Sequence, residues 1–357
     1  YYRRIAERAQ ESIAVTWQNR ATLISFGRLW MRNLFLNMRE LSFSLDEALP
    51  LTDRPLVVAG AGLSLEESSE FLLEERPRIR LIAVDTALPY LTGVGIAPDA
   101  VVSVDSQHHN LKDFIPPPPE GTDLFYDITT APSVVRKFPR ERRFAFVSRF
   151  AGGAIWTLLQ DAGIIFPQLD AGGSVGITAL LIAEHLRSRS RRSSLPILLT
   201  GLDFAFPAGL PHARMTYTHI LTLTRSCRLA PLPFVPHHLA RQRVRTPSKS
   251  SGEITTDYVL AGYAARLRSA GDRFAGVYDL STYGVETGIP RIDREEAKRL
   301  ITDGGFGGTS TGDSRFFDVT ARRSRPPSFD AERVDLFLER EWKALARLAE
   351  LVRSGDS

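Results

Sequence analysis

Short apolar runs alternate with longer amphipathic segments through the middle of the chain. The runs are continuous, which is typical of strands that are buried on both faces of a sheet. The segments between them, such as Leu65 to Glu74 and Val175 to Leu186, carry apolar residues at helical spacing. This order predicts an α/β fold, a Rossmann-like, doubly wound and mostly parallel sheet. The predicted strands are Leu56 to Ala59, Leu81 to Val84, Val101 to Val104, Leu124 to Tyr126, Phe144 to Val147, Phe166 to Leu169, Ile197 to Leu199 and Val277 to Leu280.

Both ends of the chain have helical patterns outside this alternation. In residues 1–48 apolar side chains recur with a period near 3.6 residues, and this helical pattern ends at Pro50. The pattern from Ala331 to Val352 predicts a long amphipathic helix. We therefore expect a helical N-terminal appendage or linker at 1–50, a Rossmann-like domain at 51–305, and a C-terminal loop and helix at 306–357. The stretch from Phe206 to Gly252 is rich in Pro, His, Arg and Ser, and is predicted to be a lid, a substrate loop or a mobile insertion.

Composition excludes several classes of protein. Lys and Arg total 45 against 41 Asp and Glu, and the densest basic run, 187–192, has no aromatic neighbour, so we do not expect nucleic-acid binding. The single cysteine, Cys227, excludes an internal disulfide and a cysteine-rich zinc site. No stretch approaches the ~20 apolar residues that span a bilayer. We expect a cytoplasmic protein without a membrane span.

A glycine-rich turn, Gly60-Ala61-Gly62-Leu63-Ser64, follows the first predicted strand. Small residues let the backbone approach a ligand, and Ser64 with Glu67 is predicted to form a capping box that opens the next helix. Exposed amides at a helix start favour an anion, so Gly60, Gly62 and Ser64 are candidate phosphate-binding residues. The alternative is a tight strand-to-helix turn without a ligand.

Two carboxylates follow neighbouring predicted strands, in Asp85-Thr86 and in Asp105-Ser106-Gln107. Because strand ends meet at one edge of a parallel sheet, these residues are candidates for holding ribose hydroxyls, a divalent metal such as Mg²⁺, or a reacting hydroxyl. Asp85 has a helix N-cap as its alternative role. His108 and His109 are adjacent and point apart, which makes them a poor metal pair.

A second glycine-rich turn, Gly172-Gly173-Ser174-Val175-Gly176, opens another predicted helix. It is a candidate site for a phosphate or carboxylate, with close helix packing as the alternative. Further along, Asp203 ends a predicted strand and His212 follows in a loop. These two residues are candidates for general acid or base chemistry, although a loop histidine is more often a surface residue.

Together these segments resemble the motility-associated factor (Maf) glycosyltransferases and their relatives, the archaeal 6-hydroxymethylpterin diphosphokinases (MptE-like). The resemblance covers roughly residues 50 to 300. It departs at Leu63, where the family has Pro, and at Asp279 to Val285, a degenerate form of the family's Asn-Ala-Thr-x-Gly-Gly-Ala stretch. The matching segments are Val57 to Leu65, Ile82 to Ala87, Gly95 to Asp99, Val102 to Asp105, Gly172 to Val175 and Gly201 to Phe206.

The glycosyltransferase branch implies transfer of a nonulosonic acid, of the pseudaminic or legionaminic type, from a CMP-sugar to Ser or Thr of flagellin. On that basis the first turn would hold the CMP phosphate, Asp85 or Asp105 the nucleoside, and Gly172 to Ser174 the sugar carboxylate. His212 would take the acceptor proton, with Asp105 and Asp203 as further catalytic candidates. The nucleotide-binding set is Gly60, Gly62, Ser64, Asp85, Thr86, Ser106 and Gln107.

Two other functions stay open at this point. A diphosphokinase would use Asp85 and Asp105 to hold Mg²⁺ bridging the ATP phosphates, with the first glycine turn cradling them. A catalytically silent member would bind flagellin or a nucleotide sugar as a scaffold, because fold alone does not determine function.

Overall fold

A parallel sheet organises the protein. The computed structural model describes residues 22–51, 54–148, 154–190, 193–207, 210–229, 242–303 and 329–354. Within these residues, nine strands form one sheet in the order β1-β6-β5-β4-β3-β2-β8-β11, with β7 also paired to β6, and every pairing is parallel. A separate antiparallel hairpin joins β9 and β10. The strands are β1 (Phe43–Ser44), β2 (Leu56–Ala59), β3 (Arg80–Val84), β4 (Ala100–Ser103), β5 (Asp123–Asp127), β6 (Arg143–Ser148), β7 (Gln168–Leu169), β8 (Ile197–Thr200), β9 (Arg243–Pro247), β10 (Glu253–Asp257) and β11 (Val277–Asp279).

Helices connect the strands and cover both faces of the sheet. The α-helices are α1 (22–38), α2 (Ser64–Glu67), α3 (Ser69–Glu75), α4 (Leu88–Gly93), α5 (Pro132–Val135), α6 (Ala154–Asp161), α7 (Val175–Arg189), α8 (Tyr217–Arg225), α9 (Tyr258–Ser269), α10 (Arg294–Asp303) and α11 (Ala331–Ser354). Short 3-10 turns lie at Leu45–Leu51, Arg76–Arg78, Asp85–Ala87, His108–Phe114, Arg140–Arg142 and Gly271–Phe274. No helix in these ranges combines the length and hydropathy needed to cross a bilayer.

The strand order reverses beside β2. From β2 the chain adds β3, β4, β5 and β6 in one direction, and then returns through α7 to place β8 on the other side of β2. Open α/β sheets bind ligands outside the carboxyl ends of the strands at such a reversal. The fold therefore marks the ends of β2 and β8 as the place to look for a site.

The two faces of the sheet bury separate hydrophobic clusters. Side chains alternate along each strand, so Phe125 of β5 packs on one face while Leu124 and Tyr126 pack on the other. Helix α7 covers the first face, and α1 and α11 cover the second, where the rings of Phe35 and Phe337 stack at 6.5 Å. Helices α1 and α11 thus share one face of the sheet.

The predicted α/β class is confirmed, and each predicted strand coincides with an observed one to within two residues. The N-terminal helix ends at residue 38 rather than near Pro50, because Phe43–Ser44 pairs with β6; residues 1–21 lie outside the described part. The segment from Phe206 to Gly252, predicted to be a lid, a substrate loop or a mobile insertion, holds α8 and most of the β9–β10 hairpin in its described part, and its role stays a prediction. The domain boundaries at 50 and 305 stay a prediction.

Candidate functional site

A pocket of about 390 Å³ opens at the carboxyl ends of β2 and β8. Its size falls within the range of small-molecule sites, and its position is the reversal of strand order. Four predicted site regions meet there: the first glycine turn, the start of α7, the strand end at Asp203, and the loop at His212. The lining residues are Gly60, Ala61, Gly62, Val84, Thr86, Ser174, Val175, Gly176, Gly201, Leu202, Asp203, Phe204, Ala205, Phe206, Pro211, His212, Asp257 and Leu260.

The first glycine turn is packed tightly against the end of β8. The amides of Gly60 and Gly62 donate to the carbonyls of Thr200 and Gly201, each at 2.8 Å. A Cβ on Gly60 would lie 2.3 Å from the Gly201 carbonyl oxygen, and a Cβ on Gly201 would lie equally close to the Gly60 oxygen. Glycine is required at both positions for this backbone approach. With their amides bonded to β8, Gly60 and Gly62 line the pocket but do not supply those donors to a phosphate.

Ser64 faces inward and binds Asp203. Its amide donates to Asp203 Oδ2 at 3.0 Å, its hydroxyl donates to Oδ1, and the amide of Gly201 donates to Ser64 Oγ at 3.0 Å. Ser64 has no exposed surface. The predicted capping box with Glu67 is wrong, because the buried carboxylate takes both groups of Ser64 and no side chain caps α2. Ser64 thus connects the first glycine turn to the residues that follow β8.

Asp203 belongs to a buried polar network that sequence reasoning missed. Lys249, in the hairpin loop, donates from Nζ to Asp279 Oδ2 at 2.7 Å and to the carbonyl of Leu202 at 2.9 Å. Ser281 Oγ lies 3.0 Å from Ser64 Oγ. Burial raises the pKa of Asp203 to about 6, against the lowering effects of Lys249 and of the Ser64 hydrogen bonds. Lys249 stands among Ser residues in the sequence, so no local apolar pattern marks it as buried.

Asp85 forms a second polar cluster, behind the pocket. Its Oδ2 accepts from Ser103 Oγ at 2.9 Å and from Asn110 Nδ2 at 2.8 Å, and its Oδ1 accepts from the amide of Thr86 at 2.9 Å. Burial raises the pKa of Asp85. It also raises the pKa of Asp113 to about 7, and Asp113 Oδ2 lies 3.4 Å from Thr86 Oγ1. Of this cluster, only Thr86 is among the residues that line the pocket.

The carboxylate of Asp105 also lies outside the pocket lining. It accepts from the amide of Gln107 at 2.9 Å, while Ser106 Oγ accepts from Trp30 Nε1 at 3.1 Å. Among the described residues, no group of three or more His, Cys, Asp or Glu is arranged to hold a metal ion. The structure does not bring Asp105, Ser106 and Gln107 to the pocket wall, and a role of Asp85 and Asp105 in holding Mg²⁺ stays a prediction.

The second glycine turn brings the start of α7 to the pocket. Ser174 caps the helix by accepting the amide of Ile177 at 3.3 Å, and Ser174, Val175 and Gly176 line the cavity. Gly172 packs under Ile177, and Gly173 packs against Tyr263 and Arg266 of α9. The first amides of a helix have no partner within it and lie at the positive end of its dipole. This part of the predicted anion site faces the pocket.

A short strap, residues 210–216, carries His212 across the first glycine turn. The amide of Ala213 donates to the carbonyl of Ala61 at 2.8 Å, and the next residue, Arg214, binds Glu66. His212 and Pro211 line the pocket together with the start of α7. The strap therefore holds one imidazole in the same cavity as the helix start.

Comparison with known proteins identifies the family of this chain. The family model described as 6-hydroxymethylpterin diphosphokinase MptE-like matches residues 30–209. The chain belongs to the MptE-like family. This result confirms the resemblance found in the sequence. The matched part of the MptE-like chain contains both glycine turns and Asp203, and ends before the strap and the β9–β10 hairpin.

Two uncharacterized proteins of Treponema pallidum (strain Nichols) are similar to the MptE-like chain. One is 33% identical over 319 residues, covering 84% of this chain and 53% of its own. The other is 31% identical over 106 residues, covering 29% of this chain and 50% of its own. The MptE-like chain thus spans about half the length of the curated relatives that it matches.

A solved structure shares the fold of the MptE-like chain. It is the MAf glycosyltransferase from Magnetospirillum magneticum AMB-1, with a TM-score of 0.55 and 16% sequence identity. The match covers 78% of this chain and 42% of that one. At this identity the likeness establishes the architecture.

Proposed function

We propose that this chain is a glycosyltransferase that moves a nonulosonic acid, of the pseudaminic or legionaminic type, from a CMP-sugar to Ser or Thr hydroxyls of flagellin. The observation that carries the proposal is the shared pocket. The start of α7, the strand end at Asp203 and the imidazole of His212 line one cavity at the reversal of strand order. The fold shared with a glycosyltransferase of the Maf class supports the same reaction type.

The charge of the pocket favours a nucleoside monophosphate donor over ATP. None of the described lining residues is Lys or Arg, and two of them, Asp203 and Asp257, are carboxylic acids. Several phosphate charges of a triphosphate would lie beside these acids with no cationic side chain in the described lining to offset them. The phosphate diester of the donor carries a single charge, and the amides at the start of α7 provide an anion-binding group for it.

The proposed reaction is a displacement at the anomeric carbon of the sugar. The acceptor oxygen forms the new bond to this carbon, while the bond from the carbon to the CMP phosphate oxygen breaks and its electron pair stays on the phosphate. The amides of Val175 and Gly176 stabilise that departing charge. Neutral His212 accepts the hydroxyl proton. Asp203 has both carboxylate oxygens bonded to Ser64, so we assign it a positioning role rather than proton transfer.

The test is calorimetric titration with CMP, CTP, ATP and GTP, each with and without Mg²⁺, on wild type and on Ser174→Ala. We expect selective binding of cytidine nucleotides that does not require Mg²⁺ and weakens in Ser174→Ala, because the variant loses the N-cap of α7. The Glu120→Gln variant, on an exposed loop, is the matched control. Transfer from a CMP-sugar to flagellin is then followed by mass spectrometry.

Two results would replace the proposal. Binding of ATP only in the presence of Mg²⁺ would identify a diphosphokinase, the activity for which the matching family model is named. Absence of binding to every nucleotide, with flagellin still captured, would identify a scaffold.

A further inference from the structure

A buried lysine and aspartate connect the β9–β10 hairpin to the floor of the pocket. The side chains of Lys249 and Asp279 are 1% and 2% exposed, and their charged atoms are 2.7 Å apart. Neither residue lies in the segment that matches the family model, which ends at residue 209. A buried ion pair is a costly arrangement unless its remaining hydrogen bonds are satisfied, so its partners indicate what it holds in place.

Lys249 and two neighbouring residues, Thr256 and Val285, bond to the backbone that carries Asp203, just after β8. Lys249 Nζ donates to the carbonyl of Leu202 at 2.9 Å, and Thr256 of the hairpin donates from Oγ1 to the carbonyl of Phe204 at 2.6 Å. The amide of Val285 donates to the carbonyl of Asp203 at 2.7 Å. Three successive carbonyls of the pocket wall are thus held by the chain beyond residue 209.

The aspartate of the pair reaches the first glycine turn. Asp279 Oδ1 accepts the amide of Ser281 at 2.9 Å, and Ser281 Oγ lies 3.0 Å from the hydroxyl of Ser64. Ser64 in turn binds Asp203 through its amide and its hydroxyl. The ion pair therefore contacts the β8 side of the junction directly, through Leu202, and reaches the glycine turn through Ser281.

Phe204 adds an independent sign that this strand end is held from outside. Its φ is 49°, in the left-handed region that a bulky residue rarely adopts. Such a conformation persists only where surrounding contacts determine it. Here both peptide groups that flank the α-carbon of Phe204 are held by hydrogen bonds. The carbonyl of Asp203 accepts from the amide of Val285, and the carbonyl of Phe204 accepts from Thr256 Oγ1.

We propose that Lys249 is a positioning residue of the pocket: through Leu202 and Asp279 it holds the strand end with Asp203 against the first glycine turn. The hairpin thus completes a site that the family-matched segment only begins. The inference rests on the proposed function only in taking this pocket as the ligand site. It concerns the shape of the wall and applies to any ligand that the pocket binds.

The experiment uses the full chain and the double variant Lys249→Met/Asp279→Asn. Both charges are removed together, because the single lysine variant would leave a buried carboxylate without its cation. Amide hydrogen exchange is measured at Gly62 and Ser64, whose amides bond to Gly201 and Asp203 across the junction. We expect exchange at these two amides to accelerate at least about tenfold, while the amides of β4 keep their wild-type rates.

Two further variants complete the design. Lys249→Arg in the wild-type background keeps a charged donor, and we expect it to retain most of the protection. Lys298→Met, which breaks a lysine pair with Glu74 at 2.8 Å on the surface, is the matched control and should change neither amide. Wild-type exchange rates at Gly62 and Ser64 in the double variant would overturn the proposal, and so would equal acceleration across the sheet, which would show a general loss of stability.

CMP titration on the same proteins separates this inference from the proposed function. We expect the double variant to bind CMP at least about tenfold more weakly than wild type. If wild type itself does not bind CMP, the proposed function fails, while the exchange result still decides the role of Lys249. If wild type binds CMP and the double variant binds it equally well, the positioning role is refuted although the function stands.

Discussion

Arg214 binds the carboxylate of Glu66 with both its backbone and its side chain. The amide of Arg214 donates to Oε1 at 2.6 Å, and Nε and Nη2 lie 2.7 and 2.5 Å from Oε2. Glu66 belongs to the helix that follows the first glycine turn, and Arg214 belongs to the strap that carries His212. The contact therefore fixes the position of the imidazole relative to the turn.

This contact predicts a catalytic effect from a residue that is not among those that line the pocket. In Glu66→Gln the strap loses its charged partner, so we expect kcat for sugar transfer to fall about 3- to 10-fold through misplacement of His212. The free energy of unfolding should change by less than about 1 kcal/mol, because Arg214 is largely exposed. Steady-state kinetics and urea titration measure the two quantities. Glu74→Gln, which removes another surface pair, is the control, and an equal loss of kcat in it would argue against the strap.

His212 predicts a separation between binding and turnover. In His212→Gln the acceptor hydroxyl loses its base, so we expect kcat to fall about 10²- to 10⁴-fold. Affinity for CMP should change little, because in the proposed function the start of α7 holds the phosphate. Calorimetry and a transfer assay on the same preparation test this prediction. Full turnover in His212→Gln would remove His212 from the mechanism.

The tight packing around Gly62 predicts a steric effect of any side chain at this position. A Cβ at this position would lie 2.5 Å from Asp203 Oδ2, so Gly62→Ala must displace the Asp203 carboxylate from Ser64. We expect a destabilisation of about 1–3 kcal/mol, as in other overpacked sites, together with weaker CMP binding. The control is Gly262→Ala in α9, where a Cβ meets nothing within 4 Å and should stabilise the helix by about 0.5–1 kcal/mol. Unfolding curves that rank the two variants the other way would contradict the packing.

Asp113 predicts a pH dependence of stability. Burial and the neighbouring charge of Asp85 raise the pKa of Asp113 from 3.8 to about 7, so the folded state binds its proton more tightly than the unfolded state does. The contribution of this group is fully present below pH 3.8 and is lost as the pH rises through about 7. In Asp113→Asn this loss disappears. Urea titrations between about pH 4 and pH 8 should therefore show a flatter profile for the variant, with a higher free energy of unfolding than wild type at the alkaline end. Parallel profiles for the two proteins would exclude the effect.

The sheet could be predicted from sequence because most of its strands contain continuous apolar runs, aliphatic in β2, β3, β4 and β8 and partly aromatic in β5 and β6. The β9–β10 hairpin was missed for the opposite reason. Arg243, Arg245 and Pro247 are exposed at every second position, so the strand carries little apolar signal. The long-loop interpretation followed from composition, whereas the hairpin is held by its cross-strand hydrogen bonds.

The site was predictable in position more than in role. Glycine turns after two strands indicated the region in which the pocket opens, because the carboxyl ends of parallel strands meet at one edge. The local capping rule assigned Ser64 to Glu67, but a carboxylate 139 residues away binds it instead. Asp85 and Asp105 follow strands in the same way as Asp203, yet they lie on the far side of β2 from β8. Without the order of the strands in the sheet, the sequence does not show which of these strand ends lie beside β8.

The mutual approach of Gly60 and Gly201 has a consequence for anyone who redesigns this pocket. Each glycine excludes a side chain from the other because the two backbones, not a ligand, fill the space. A graft that transfers the lining side chains to another parallel sheet but keeps alanine at either position would hold β2 and β8 apart and open the cavity floor. The transferable unit is therefore the pair of adjacent strand ends, with its two glycines carried together as one part.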